Sequence, residues 1–280
     1  MPEFRETGMP NNLVFVRHGE SEANVVNQAD KQGSDISALR HIKQRADWQQ
    51  RLTEVGVVQA IQAGEWLNSE FGPVNEVFDK KYASPYVRTR ETALHVGGAA
   101  ATGWMLDHRI VERSWGVFGA ATLEEQDQLY RHTKERAELD PLFTSKDGGE
   151  ALANGVLTRF RDFLDTLHRE ANGENVLAVT HGEFMWVVRY VLERMTPEEW
   201  QKLDDDKSQR LRNCSVLQYT RINPEDNSDV RRKLSWMRIV YPDAIDKSPF
   251  MGEWQDMQKP RGFSAEELSE QIDAFPRLLK

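Results

Sequence analysis

Cysteine is nearly missing from this chain: Cys214 stands alone in 280 residues, so no intrachain disulfide can form and no cysteine-built metal centre fits. Long apolar runs are missing as well. None approaches the ~20 residues that a membrane-spanning helix needs, and the opening MPEFRETGMPNN has no stretch of signal-peptide type. Positive charge is in deficit, with 36 Lys and Arg against 45 Asp and Glu and a net charge of −9. General nucleic-acid binding needs a basic footprint and is excluded. Repeats and low-complexity segments are absent. The expectation is a cytoplasmic globular protein with neither a membrane nor a nucleic-acid partner, organised as one domain over residues 1–280.

What is present alternates in period. Leu13-Val14-Phe15-Val16 reads as a buried strand ended by Arg-His-Gly. Residues 27–50 are polar and without a clean apolar period, which predicts an insertion or mobile surface segment. Leu52 to Gly56 leads into a helix carrying Val57, Ile61, Trp66 and Leu67. A second strand is expected over Val77–Ala83, with Ser84 as N-cap and Pro85 opening a helix that holds Arg88 in its first turn. Val156, Phe160, Phe163, Leu164 and Leu167 keep helical spacing within 152–170. Val176–Val179 is a further buried strand, ended by Thr180-His181-Gly182, and Phe184, Val187, Val188, Val191 and Leu192 give the next helix an apolar face. Late strands are expected over 215–221 and 234–240. Residues 222–280 read as a C-terminal extension with a capped helix from Ser264 to beyond Glu267. The alternation predicts an α/β three-layer sandwich around a mostly parallel sheet, with ligands bound beyond the strands' carboxyl ends. His18 and His181 both fall there.

A histidine directly after a buried strand is held on a rigid element. Attack on phosphorus needs an unprotonated imidazole nitrogen, its tautomer fixed by a bond to the other nitrogen. Neighbouring arginines disfavour imidazolium and bind phosphate oxygens bidentately. A few of them in one pocket can outweigh a diffuse negative surface. Each residue also has an ordinary reading: Arg88 as a surface side chain, Glu112 as half of a solvated ion pair, His181 as a helix cap. His41, His95, His108, His132 and His168 match no pattern and read as structural or surface, Trp115 and Trp186 as core packing, and Cys214 as a buried small residue.

Five segments in order resemble the histidine phosphatase superfamily, the phosphoglycerate-mutase-like proteins. They are Arg17 to Ser21 with Asn24, Leu52 to Ala60, Ser84 to Ala93, Glu112 to Gly116, and Thr180 to Gly182. The resemblance implies a phosphoglycerate-mutase-like fold and a phosphohistidine on His18. It implies a phosphate pocket closed by Arg17, Arg88 and His181, with Asn24 adding a donor and Ser21 and Arg113 as further binding candidates. Glu112 would be the acid that protonates the leaving oxygen and then the base that activates water. No metal or other cofactor is expected, the partner being a small phosphorylated substrate; late strands read as exposed leave room for a homodimer.

Hydrolysis of a phosphomonoester is the favoured reaction. The mutase branch carries paired arginines and prolines after the acid glutamate, whereas Ala120–Gly149 has neither Arg-Arg nor Pro-Pro. Arg113 keeps a mutase open as the alternative, and a non-catalytic phospholigand binder is the second alternative. Gly148-Gly149-Glu150 is similar to a Gly-Glu element of the broader family. Glu183 departs from the usual small residue after His-Gly and reads as a first-turn acid. The 27–50 and 222–280 segments are expected to cover the pocket and set substrate choice, so that deleting 30–48 changes preference across a substrate panel.

Overall fold

The computed structural model describes residues 7–206, 210–242, 250–257 and 262–279. Those parts of the C-terminal extension expected over 222–280 that fall at 243–249, 258–261 and 280 lie outside the described residues. The strands are β1 (Asn12–Arg17), β2 (Lys80–Ala83), β3 (Trp104–Leu106), β4 (Asn175–Thr180), β5 (Val216–Thr220), β6 (Ile222–Asn223), β7 (Asp226–Val230), β8 (Trp236–Tyr241), β9 (Phe250–Met251) and β10 (Gln255–Asp256). The helices are α1 (Glu22–Lys31), α2 (Arg40–Lys43), α3 (Glu54–Phe71), α4 (Val74–Val77), α5 (Val87–Gly97), α6 (Leu123–Leu129), α7 (Arg131–Leu139), α8 (Leu157–Glu170), α9 (Gly182–Leu192), α10 (Pro197–Asp205) and α11 (Ala265–Asp273).

The main sheet has the order β10-β8-β5-β1-β4-β2-β3, with β9 also on β8. β1, β4, β2 and β3 run parallel, and β5 and β8 continue antiparallel. Side-chain alternation divides the core into two layers. Leu13, Phe15, Val176, Ala178, Leu217 and Tyr219 pack with Phe160, Phe163 and Phe184 of α8 and α9. Val14, Val16, Leu177, Val179 and Val216 pack with Ala60, Ala63, Leu67, Ala93 and Val96 of α3 and α5. The sheet between two helical layers is the expected sandwich.

Register builds the site. Arg17 lies opposite Thr180, so the chains leave β1 and β4 side by side and His18 and His181 follow at matched positions. Ala83 lies opposite Val179, which brings Ser84 to the same level.

Several local expectations change. The Val77–Ala83 segment splits, because α4 ends at Val77 and β2 starts at Lys80. Ser84 does not cap α5: its N–H still bonds the Val179 carbonyl at 3.0 Å, extending the sheet, and Tyr86 takes the cap position without a side-chain bond. Residues 27–50 form the end of α1, the short turn Ser37–Leu39, α2 and the turn Asp47–Gln49. Lys43 Nζ fastens them, reaching Asp30 Oδ2 at 2.8 Å and the Ala121 carbonyl at 2.9 Å. Ile61 is exposed, since α3 buries a face of small residues against α5. The 152–170 helix opens with a wide turn over Leu152–Val156 before α8. The two strands expected late in the chain are not exposed: β5 and β8 are buried along their lengths, and β9 and β10 pair with β8. Ser264 caps α11 with Glu267, as expected.

The loop after β1 sits against the start of α3 with no room for a side chain. A Cβ at Gly56 would lie 2.0 Å from the Glu20 carbonyl oxygen, and one at Gly19 would lie 2.3 Å from that of Gly56. Thr53, the α3 N-cap, donates to Glu20 Oε1 at 2.7 Å, and Gln59 accepts from the Glu20 N–H at 2.8 Å. Thr92 of α5 accepts from the Gly19 N–H at 3.0 Å. Gly56→Ala is therefore expected to lower stability by ~1–3 kcal/mol in denaturant unfolding. The exposed Val58→Ala serves as control, and equal midpoints for the two variants would contradict the contact.

Candidate active site

His18 is 3% exposed, and its Nδ1 lies 2.7 Å from the Gly19 carbonyl oxygen. A carbonyl only accepts, so Nδ1 carries the proton and Nε2 presents its lone pair. Arg88 Nε donates to that Nε2 at 3.3 Å. Burial, then Arg88, then Arg17 push the His18 pKa well below its ordinary value, so the ring is neutral. The His181 ring lies 5.2 Å away and is also buried and neutral, through burial first and Arg88 second.

His181 Nε2 is 2.8 Å from Ser84 Oγ, while its Nδ1 is buried without a partner. Arg17 shows the same imbalance. Its Nη1 donates to the Leu211 carbonyl at 2.5 Å, but Nε is buried and unpaired, beside Gly182. Two unmet buried polar atoms next to one neutral imidazole are costly, about 1–3 kcal/mol each. Arg17 Nε–H is a donor, and so is His181 Nδ1 in the tautomer that puts the ring proton there, and an anion's oxygen is the partner such donors lack. Burial lowers the Arg17 pKa, with Glu112 and Glu183 opposing.

Arg88, 4% exposed, stacks 4.9 Å from the Tyr86 ring centroid, and Tyr86 in turn packs on His181 at 5.0 Å. Its remaining nitrogens hold Asp47. Nη1 donates to Oδ1 at 2.9 Å and to the backbone carbonyl at 2.6 Å, and Nη2 donates to Oδ2 at 3.2 Å.

Glu112 has its pKa raised to about 7, by burial and then by Glu183. Its Oε1 accepts the Arg113 N–H at 2.9 Å. Gly116 adopts φ 54°, a left-handed turn where a Cβ would meet the Asp147 carbonyl, which accounts for the glycine closing that segment. Glu150 clamps the turn. It accepts from the Ser114 N–H at 3.0 Å, pairs with Arg159 at 3.0 Å, and its carbonyl accepts from Arg113 Nε at 2.9 Å. Arg113 lies 4.9 Å from the Trp115 ring and 3.6 Å from Glu183 Oε2. Lys146 sits 4.2 Å from the same ring, its pKa pushed down to about 8 by burial and then Arg113.

The structure thus brings His18, His181, Arg17 and Arg88 together. Arg113 joins through its pairing with Glu183, whose charge also reaches Glu112 and Arg17. Ser21 and Asn24 are different: they form the reciprocal capping box of α1. Asn24 Oδ1 also accepts Asn213 Nδ2 at 3.1 Å, and Asn213 bonds the His18 carbonyl at 3.1 Å, so this pair holds the loop. Glu183 is in the first turn of α9, as read, and pairs across to Arg113 besides. Trp186 is core, whereas Trp115 underlies two cations. Cys214 is buried. Of the other histidines, His41, His108, His132 and His168 are exposed and His95 is partly so. Asp47, Asn213 and Lys146 carried no motif signal, and Ser84 was visible but in another role.

The pH dependence of folding has a definite sign. The folded-state pKa of Glu112, about 7, is above the ordinary 4.5, so the fold binds an extra proton between those values. Its contribution is full below about 4.5 and is lost as pH rises through about 7. Relative to Glu112→Gln, wild type is expected to lose thermal stability across that window; a constant difference would contradict it.

The sequence profile of the histidine phosphatase superfamily (branch 1) matches residues 13–225. The chain is similar to phosphoserine phosphatase 1 of Hydrogenobacter thermophilus, 28% identical over 169 residues, 60% of this chain and 70% of that protein. It is similar to the 2,3-bisphosphoglycerate-dependent phosphoglycerate mutase of Azorhizobium caulinodans, 27% identical over 191 residues, 66% of this chain and 83% of that one. A mycobacterial glucosyl-3-phosphoglycerate phosphatase structure superposes with TM-score 0.58 at 22% identity, over 82% of this chain and 96% of the other. The alpha-ribazole phosphatase of Shigella flexneri gives 0.58 at 19%, over 80% and 96%. At those identities the structural likeness concerns the fold.

Proposed function

The chain belongs to the histidine phosphatase superfamily, and we propose that it hydrolyses a small phosphomonoester through a phosphoryl group carried on His18. The observation that carries this reading is the pair of unsatisfied buried atoms, Arg17 Nε and His181 Nδ1, beside an imidazole whose Nε2 is unprotonated. If Ser84 donates to His181 Nε2, the ring proton sits on Nδ1, and both atoms are donors awaiting an oxyanion.

In the first step His18 Nε2 attacks phosphorus and the bond from phosphorus to the leaving oxygen breaks. Glu112, still protonated near neutral pH, gives its proton to that oxygen. Arg17, Arg88 and His181 hold the three remaining phosphoryl oxygens, so the charge that shifts in transfer is met by fixed donors. In the second step the Glu112 carboxylate takes a proton from water, the water oxygen bonds phosphorus, and the nitrogen–phosphorus bond breaks. Inorganic phosphate leaves and His18 returns to the neutral ring with its Nδ1 proton in place.

A phosphoglycerate-mutase reaction through the same intermediate is the second reading, favoured by Arg113 and Lys146 around Trp115 as anchors for a second anionic group. Hydrolysis is preferred because 120–149 lacks the paired arginines and prolines of the mutase branch. With p-nitrophenyl phosphate, His18→Ala is expected to lower kcat on the order of 10⁴-fold or more at unchanged fold. Turnover equal to wild type would exclude the mechanism, and no turnover by wild type on any phosphomonoester of a broad panel would favour a non-catalytic binder. Phosphoglycerate supplied with and without a bisphosphoglycerate primer separates the reactions, since primer-dependent isomerisation exceeding phosphate release would make the protein a mutase.

A further inference from the structure

Resting on the phosphate site proposed above, we infer that Asp47 is a built-in competitor for Arg88, whose carboxylate occupies the phosphate-binding guanidinium and yields it to the substrate. A guanidinium has five N–H donors. In this structure Nε–H points at His18 Nε2, both Nη1 donors are taken by Asp47 Oδ1 and its backbone carbonyl, and Nη2 donates to Asp47 Oδ2. Four of five are engaged, three by Asp47. A phosphate cannot be gripped bidentately by Arg88 while both carboxylate oxygens remain.

The pair is built unequally. Arg88 is almost fully enclosed, with 4% of its side chain exposed, whereas the Asp47 side chain is 51% exposed. The arginine stays in place and the carboxylate is the partner able to leave. Its departure needs little backbone movement, because the turn Asp47–Gln49 is fastened on both sides. Lys43 is anchored to Asp30 and to the Ala121 carbonyl on one side, and Gln50 Nε2 bonds the Ile42 carbonyl at 2.7 Å on the other. The Asp47 carbonyl also keeps its own bond to Arg88 Nη1 when the side chain rotates outward.

The exchange has two consequences. A pocket holding Arg17, Arg88 and two neutral histidines is screened from casual anions by a carboxylate of its own. After turnover the same carboxylate re-enters, replacing product phosphate on Arg88 and speeding its release. Asp47 is itself half-exposed, so water takes up its carboxylate as it leaves, which suits a group that must be displaced in every cycle.

Calorimetric binding of inorganic phosphate, with p-nitrophenyl phosphate turnover measured in parallel, tests this in wild type, Asp47→Asn and Asp47→Ser. Both variants are expected to bind phosphate roughly 3- to 10-fold more tightly than wild type, with lower KM and stronger product inhibition. Unchanged or weaker phosphate binding in both would overturn the inference, weaker binding meaning that Asp47 positions Arg88 for the phosphate. The two ideas fail separately. Phosphate binding tightened in the variants without turnover by any form would sink the catalytic reading and uphold this one. Normal turnover with equal phosphate affinities would do the reverse.

Discussion

The 2.7 Å contact from His18 Nδ1 to the carbonyl of the next residue decides which ring nitrogen is free, and the pocket is arranged around that choice. Burial and two guanidiniums keep the ring neutral. Neutrality alone would leave either nitrogen available; the carbonyl makes it Nε2, the one facing Arg88. The contact exists because the chain turns sharply after β1, and that turn is held from four sides. Thr53 and Gln59 of the α3 segment grip Glu20, Thr92 grips Gly19, and Asn213 grips the His18 carbonyl. Segments that look catalytic in sequence are therefore partly scaffolding, tying two helices to one loop.

A protein of net charge −9 handling an anion has to localise its positive charge. It does so with arginines whose charges are answered by carboxylates of unequal commitment. Arg88 is answered by the half-exposed Asp47, and Arg113 by Glu183 at 3.6 Å, beyond hydrogen-bond length. Glu183 acts twice, since its charge also helps burial raise the Glu112 pKa to about 7. A residue in the first turn of α9 thereby adds to what burial does to a carboxyl on another loop. In the proposed mechanism this tuning lets one carboxyl serve as acid and then base near neutral pH.

Much of this was legible in sequence wherever local pattern and physical demand coincide. The apolar runs at 13–16 and 176–179 fixed two central strands, and the residues that follow them met in space because β1 and β4 pair in parallel at matched register. Less visible was anything decided by tertiary partners. Ser84-Pro85 has the chemistry of a helix start, yet the sheet extends one residue further and turns the serine toward His181. The polar 27–50 stretch has no apolar period because its helical pieces are held mainly by ion pairs and carbonyl contacts, such as those of Lys43. Asp47, Asn213 and Lys146 matter through partners distant in the chain, and no local spacing reports that. Ser21 and Asn24 show the converse: a motif position can be occupied for capping and loop support.

The central claim is a covalent bond between phosphorus and His18 Nε2. Its most direct test mixes wild-type protein with a turned-over phosphomonoester, quenches in alkali to preserve a phosphoramidate, and maps the modified peptide by mass spectrometry. The account predicts one phosphoryl group per chain, on His18 and lost on acid treatment. A phosphoryl group on any other residue, or steady turnover with no phosphoenzyme trapped at any time point, would contradict it.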